Sequence, residues 1–309
     1  MSKLKAVAYY AGIPARNSNM EKPQILDNFL AGVRACGDIA VPHKGTTLID
    51  ADVALVQGFV HEHGKKAPHL QVRRNAIEHQ AKNHKHSLIV DSNLFLYKDA
   101  GNKKRYLRYS FDGVFPKTGF YFDSHVDDNR WEQIKTDLGI DLKPRRSNGE
   151  HILICLQRNG GWSMRGTDVI AWMNSTIQEI RKYEQNRPII VRAHPGDKKI
   201  RNFLKIQHKN VKLSNNRDIT TDLNNAWATV VFNSSPGVAS AIEGVPVIIT
   251  DPIPGHSQAE SIANMGIQHI STPILPDREA WVRKLAMCHW NFEELKNGSA
   301  WQFFRQHIT

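Results

Sequence analysis

Little in this sequence can cross-link it. Three cysteines, Cys36, Cys155 and Cys288, lie far apart in 309 residues. Their odd number and wide spacing exclude a disulfide framework and a cysteine-based zinc site. Cys155 falls inside the apolar run at 152–156, which marks it as a small core residue. The set fits a reducing cytoplasm. Long hydrophobic runs are also missing. None approaches the roughly 18 residues of a membrane-spanning helix, so no integral membrane association is expected. The polar start Met1-Ser2-Lys3-Leu4-Lys5 leads straight into a strand-like run, which does not read as a signal peptide. Acidic residues are scarce: 30 Asp and Glu stand against 41 Lys and Arg, a net charge of +11. That excess favours an anionic partner such as nucleic acid, an anionic membrane face or a nucleotide. No internal repeat or low-complexity tract is present.

What the chain does have is an ordinary globular composition, 40% hydrophobic and 23% charged, at a length suited to two domains of about 150 residues each. The segment 141–150, Asp-Leu-Lys-Pro-Arg-Arg-Ser-Asn-Gly-Glu, is polar and carries Pro and Gly, so it reads as the boundary. The expected units are 1–145, 146–290 and a terminal helical segment 291–309 that packs back. After the boundary, apolar β-branched runs at 151–157, 188–193, 210–213, 228–232 and 245–250 alternate with helix-like stretches near 167–183, 198–206, 219–226 and 236–243. Such alternation predicts a parallel sheet covered on both faces, a Rossmann-like α/β domain. Sheets of this kind bind ligands at the C-terminal ends of their strands. Attention therefore goes to the loops after Gln157, Ala193, Phe232 and Thr250. The first half also reads as α/β. It has strands at 5–10, 53–57 and 87–91, helices at 22–35 and 68–83, and an irregular section at 93–122.

The densest signal is Phe232-Asn233-Ser234-Ser235-Pro236-Gly237, where a buried strand gives way to a small-residue helix. Pro236 suits a first helical turn. Free amides and serine hydroxyls there suit a phosphate group, although the serines can also simply cap the helix. Glu243, further along, is placed to accept from ribose hydroxyls. Arg192-Ala193-His194-Pro195-Gly196-Asp197 follows another strand, and His194 with Arg192 can meet a phosphate or leaving group. Gln157-Arg158-Asn159-Gly160-Gly161-Trp162-Ser163-Met164-Arg165-Gly166 supplies glycines for close backbone approach and two cations, Arg158 and Arg165. It is neither a Walker loop nor the three-glycine dinucleotide fingerprint, which argues against a P-loop ATPase and an NAD enzyme. Thr250-Asp251-Pro252-Ile253-Pro254-Gly255-His256-Ser257 is a fourth loop of the same crevice or a rigid turn.

In order and placement these loops resemble those of GT-B glycosyltransferases, in particular the sialyltransferase-like and capsule-type enzymes with a His-Pro motif and a downstream Ser-Ser motif. Here those are His194-Pro195 and Ser234-Ser235, followed by Glu243-Gly244-Val245-Pro246-Val247-Ile248. The resemblance spans roughly residues 155–254. It implies two Rossmann-like domains facing across a cleft, with C-terminal helices crossing back. It implies a nucleotide-sugar donor in the second domain, UDP-linked rather than CMP-linked, and an acceptor in the first. It further implies a metal-independent hexosyl- or pentosyltransferase with no other cofactor. The donor set would be Arg158, Gly160, Gly161, Arg165, Arg192, His194, Pro195, Asn233, Ser234, Ser235, Gly237 and Glu243, with His194 also near the chemistry.

The family's catalytic carboxylate in the first domain has no clear counterpart. Asp91, ending an apolar strand, and Asp112, in Phe111-Asp112-Gly113, are the candidates for a general base. Asp50-Ala51-Asp52 matches a metal-binding Asp-x-Asp, but capping is the better reading. The pairs His61/His63 and His84/His86 read as surface or acceptor-side groups. For the acceptor, the basic residues Lys65, Lys66, Arg73, Arg74, Lys103, Lys104 and Arg105 favour DNA carrying a hydroxymethylated pyrimidine, as modified by tailed phages in the host cytoplasm. The alternatives are a cell-envelope or lipid-linked glycan, and a non-catalytic DNA- or nucleotide-binding protein.

Overall fold

The structure, a computed structural model, describes residues 2–14, 21–60, 67–99, 101–117, 119, 126–146, 148–197, 200, 204 and 206–308, without the side chains of Glu21 and Trp162. The chain forms two six-stranded sheets. The first contains β1 (Lys5–Tyr9), β2 (Ile39–His43), β3 (Val53–Gln57), β4 (His86–Asp91) and β5 (Leu107–Phe111). Helices α1 (Glu21–Ala35), α2 (Pro68–Lys82) and α3 (Asp128–Leu138) accompany it. The second contains β6 (His151–Cys155), β7 (Ile189–Arg192), β8 (Val211–Leu213), β9 (Ala226–Val231), β10 (Val247–Ile249) and β11 (Asn264–Met265). Its helices are α4 (Val169–Tyr183), α5 (Ile219–Leu223) and α6 (Pro236–Ile242). The chain then returns through α7 (Glu279–Met287) and β12 (His289–Trp290), and ends in α8 (Phe292–Asn297) and α9 (Ser299–Arg305).

Strand order fixes where ligands can sit. The second sheet runs β11-β10-β9-β6-β7-β8, all parallel. From β6 the chain winds one way to β7 and β8, then crosses to the other side for β9. The crevice at the carboxyl ends of β6 and β9 is therefore a topological switch point. The first sheet runs β12-β5-β4-β3-β1-β2. Its parallel strands change direction of winding between β1 and β3, so the first sheet has its own switch point there, the first along the chain, and that of the second sheet is the second.

Local sequence explains the elements. All five side chains of β6, His-Ile-Leu-Ile-Cys, are buried, because both faces of the sheet are covered. Asp168 begins α4 by accepting from the amides of Ile170 and Ala171, both at 2.9 Å. Asp127 caps α3 through the Asn129 amide at 2.9 Å, and Gly139 ends that helix at φ +61°. Asn291 and Glu294 form a capping box on α8. Of the expected helix at 198–206, only residues 200, 204 and 206 lie among the described ones.

Three features depart from the periodic reading. β2 is an edge strand with mixed burial, and it tolerates Pro42 because one of its sides needs no partner. β5 lies inside the section expected to be irregular and runs antiparallel to β4. The return to the first sheet starts before residue 291, since α7 packs on α3 and β12 pairs antiparallel with β5. One buried apolar cluster runs from the first sheet through α7 into the second, taking in Leu88, Trp131, Leu285, Val238 and Val247. A separate cluster lies between α4 and the second sheet. Among the described residues, no helix is long and apolar enough to cross a membrane.

Candidate active site

The loops after β6, β7, β9 and β10 meet at one edge of the second sheet, and a polar network ties them. The Asn233 amide donates to Gln157 Oε1 at 3.2 Å, and Gln157 Nε2 donates to Ser163 Oγ at 2.7 Å. Asn233 Nδ2 donates to Asp251 Oδ2 at 2.6 Å and to the Ser163 carbonyl at 3.2 Å. Asp251, buried, also accepts from the Arg165 guanidinium and from the Ile253 amide at 3.0 Å. Arg165 in turn lies over the Phe232 ring, 5.7 Å from its centroid, and burial lowers its pKa. Across the crevice, the Asn159 amide donates to Asp197 at 3.0 Å, joining the β6 and β7 loops.

Within this frame His194 is a neutral donor. Its Nδ1 accepts from the Gly196 amide at 3.0 Å, which puts the ring proton on Nε2. Burial, then the neighbouring Arg158, push its pKa down. Arg158 itself is exposed and passes beside Gly196, where any Cβ would collide with its guanidinium. Ser234 Oγ is buried and has no hydrogen-bond partner among the described residues. This orphaned hydroxyl lies at the switch point, where sheets of this topology bind their ligands. Ser235 is exposed and makes no side-chain cap bond with α6. Pro195 and Gly160 are exposed on the same loops.

Other residues of the expected donor set have structural duties. Arg192 pairs with buried Asp222 at 2.5 Å and donates to the carbonyls of Asn216 and Arg217 at 3.0 and 2.6 Å. Asp222 is completed by Ser214 Oγ at 2.7 Å, so this arginine anchors the loop between β8 and α5. Gly237 is a packing glycine: an added Cβ would lie 3.2 Å from Val247 and 3.5 Å from Ala259. Gly161 turns the loop, its amide donating to the Arg158 carbonyl at 3.0 Å. Glu243 sits at the far end of α6 and is 3% exposed. Its carboxylate takes the ammonium groups of Lys98, at 3.1 Å, and Lys143. Burial pushes that carboxyl up, but the two lysines outweigh it and hold its pKa below the usual range. Glu243 therefore joins the two halves of the chain, about 13 Å along the helix direction from Ser234.

The two candidate bases are at opposite ends of the first sheet. Asp91 ends β4 at the carboxyl edge and accepts from Arg108 at 2.5 Å. Asp112 lies beside the start of β4, because β5 runs antiparallel. Its carboxylate takes the Ser87 amide at 2.8 Å and His86 Nδ1 at 2.6 Å. Five residues of strand, roughly 16 Å, separate the two. Only Asp91 is on the edge where the switch point lies. The loop after β10 reaches this edge: the His256 ring is 5.2 Å from Phe115, which is 6.2 Å from Phe59, the residue after Gly58. His256 Nδ1 is buried without a partner among the described residues. Asp251 and His256 belong to the fourth candidate loop, but their individual roles, and Gln57, whose Oε1 is equally orphaned, stand out only in three dimensions.

The basic residues expected to bind DNA are spread out. Lys65, Lys66, His61 and His63 lie outside the described residues. Arg73 is buried, on α2, whose Val72 and Ala76 pack with Val7 and Val56 on one face of the first sheet. The Lys103 and Lys104 amides donate to buried Asp99, and the Lys104 ammonium is 4.0 Å from Asp137 of α3. Arg105 lies over the Phe292 ring. Lys104 thus stands beside α3, whose Trp131 packs with Leu88 and Val90 on the opposite face. Arg74 remains on the α2 side. Asp52 pairs with Lys85 at 3.2 Å and accepts the Lys5 amide, which is a capping role. Among the described residues, no three His, Cys, Asp or Glu side chains converge as a metal site would require.

Two Rossmann-like sheets, each with its switch point, and a C-terminal segment crossing back to the first define a GT-B-type α/β fold. Solved structures show the same arrangement. The chain is similar to the β-Kdo 2,4-transferase of Thermosulfurimonas dismutans KpsC, with a TM-score of 0.56 and 14% identity over 92% of this chain and 91% of that one. It is likewise similar to the β-Kdo 2,7-transferase of the same KpsC, with a TM-score of 0.55 and 12% identity over 97% and 99% of the two chains. No protein-family model and no curated protein sequence matches the chain. At such identity the likeness is one of fold.

Proposed function

We propose that the chain is a glycosyltransferase that moves a sugar from a nucleotide donor to a hydroxyl of a glycan. The observation that carries this reading is the crevice at the second switch point. There the loops that carry an orphaned Ser234 hydroxyl, the neutral Nε2–H of His194 and the exposed Arg158 guanidinium meet at the carboxyl ends of β9, β7 and β6. A neutral donor, a hydroxyl and a cation suit the phosphate oxygens of a sugar nucleotide. As the glycosidic bond breaks, negative charge grows on the leaving phosphate, and the same groups stabilise it. Asp91 takes the proton of the attacking hydroxyl, from the edge of the other sheet. Nucleotide sugar and glycan are its only required partners in this reading, and a UDP-linked donor follows from the sequence resemblance.

The fold shared with two Kdo transferases supports a glycan acceptor. The net charge of +11 supports modified DNA as a second reading, weakened by the distribution of the basic side chains over both faces of the first sheet. The test is to incubate the protein with labelled UDP- and CMP-sugars and three acceptors: acidic and neutral oligosaccharides, and a duplex containing hydroxymethylated pyrimidine. Transfer to an oligosaccharide is expected. Transfer to DNA alone rejects the glycan acceptor. Absence of both transfer and nucleotide binding rejects the transferase reading.

A further inference from the structure

The first switch point holds a charge arrangement that the transferase reading does not use. Arg73, on α2, is 6% exposed, yet its side chain is brought to the carboxyl edge of β1 and β3. Its Nε donates to the Gly12 carbonyl at 2.6 Å. Neither Nη group has a hydrogen-bond partner among the described residues. Two glycines make room for it. A Cβ at Gly12 would lie 3.2 Å from Arg73 Cγ, and one at Gly58 would lie 2.6 Å from Nη1. Gly58 also needs its φ of +89°, which disfavours any other residue.

Among the described residues, one carboxylate acts on this guanidinium. Asp91 is the carboxylate that acts on it, and Asp91 is already hydrogen-bonded to Arg108, itself buried. Burial, then Arg73 itself, lower the pKa of the neighbouring His69, so that ring adds no charge at neutral pH. Burial lowers the pKa of Arg73 to about 10, so it stays cationic at neutral pH. Asp91 thus serves both Arg73 and Arg108. Gln57 Oε1, at the end of β3, is a further orphan beside Gly58. A largely buried guanidinium whose Nη groups find no protein acceptor is unfavourable unless water or a ligand completes it. The usual place for a ligand in a sheet of this topology is the crevice where these groups lie.

We propose that the first switch point is an anion subsite for the acceptor, in which Arg73 grips a carboxylate or phosphate carried near the nucleophilic hydroxyl. The subsite rests on the transferase reading for its purpose, but its binding chemistry is separate. Arg73 offers two parallel N–H groups, the geometry that matches a carboxylate or phosphate bidentately. Gln57 Oε1 is free to accept from a neighbouring hydroxyl. Asp91, on the next strand, is then close enough to serve that sugar.

The experiment titrates the full chain with methyl glucuronide, methyl glucoside and inorganic phosphate by ligand-observed NMR, and with UDP and CMP by calorimetry. The glucuronide or phosphate is expected to bind at least tenfold more tightly than the glucoside. Arg73→Gln should abolish that preference while changing nucleotide affinity by less than twofold. Binding of both anions in competition identifies the shared subsite, and binding of phosphate alone assigns the acceptor group as a phosphate. Equal binding of all three by the wild type overturns the proposal without recourse to any variant. So does a preference that survives in folded Arg73→Gln. If that variant does not fold, Arg73→Lys keeps the charge and removes the fork, and should lose most of the preference. Nucleotide binding without anion preference sinks the subsite alone. Anion preference without nucleotide binding sinks the transferase reading alone.

Discussion

Replacing Asp251 with alanine removes one carboxylate that serves three loops. Its side chain is 1% exposed and accepts from Arg165, from Asn233 Nδ2 and from the Ile253 amide. Breaking a buried ion pair by deleting one partner costs about 3–5 kcal/mol, because the other charge is left behind. Arg165 is 20% exposed and can regain some water, which places the loss near the lower end. Asn233 keeps its bond to the Ser163 carbonyl, so its amide is not wholly orphaned. A loss of about 3 kcal/mol lowers the melting temperature of a unit of 150–250 residues by roughly 6–12 °C. Scanning calorimetry reads the shift, and calorimetric titration with UDP and CMP reads the donor site. Nucleotide affinity should fall along with stability, since the loops carrying Ser234, Arg158 and His256 lose their common tie. A double variant with Arg165→Ala should cost less than the two single losses added together. The reasoning is wrong if Asp251→Ala melts within about 2 °C of the wild type, or if the two losses are additive.

Three other outcomes are expected. Ser234→Ala should weaken nucleotide binding about fivefold to twentyfold by removing one charge-assisted hydrogen bond. It should leave the melting temperature unchanged or slightly raised, because the hydroxyl is buried without a partner. Asp91→Asn should lower turnover by about 10²–10⁴ with donor affinity intact, whereas Asp112→Asn should leave turnover unaffected; single-turnover assays separate the two. His86 has its pKa raised first by its hydrogen bond to Asp112. A raised folded-state value means that the pair stabilises fully below the unfolded pKa of about 6.5 and loses this as pH rises through the folded value. The melting-temperature gap between wild type and His86→Ala should therefore be wider at pH 5.5 than at pH 8.5, and an equal gap would refute it.

The second sheet was largely legible because its strands are short, apolar and buried on both faces, as at Ile152–Cys155 and Val247–Ile249. Periodicity is silent where a strand is an edge or a two-residue bridge, and so β2, β11 and β12 leave little trace. β5, Leu-Arg-Tyr-Ser-Phe, hides two buried polar residues, Arg108 and Ser110, in a strand whose direction no local pattern reveals. That direction is what carries Asp112 away from the carboxyl edge. Helices α3 and α7 are likewise quiet, their apolar positions interrupted by charged faces. Which loops meet could be inferred from strand ends alone. Which side chains remain free within them could not. Glu243 looks like a ribose ligand until Lys98 and Lys143, each at least 100 residues away in sequence, occupy it. Arg73 looks like a surface cation until Gly12 and Gly58 are seen to house it. Such partners are fixed by topology, and pairwise spacing along the chain does not encode them.

The return of the C-terminal segment has a consequence for biogenesis. All six strands of the second sheet lie between residues 151 and 265, so that unit can close while later residues are still being synthesised. The first sheet cannot. β12 must add to β5, α8 must settle on α1, and the Trp301 indole must reach Asp38, 263 residues earlier, at 2.7 Å. Gly32 permits the close helix crossing, since a Cβ there would strike the Leu295 carbonyl. On the ribosome the half made first is thus completed last. Its exposed apolar face is left to wait, and nascent chains stalled near residue 280 should be the species that chaperones hold.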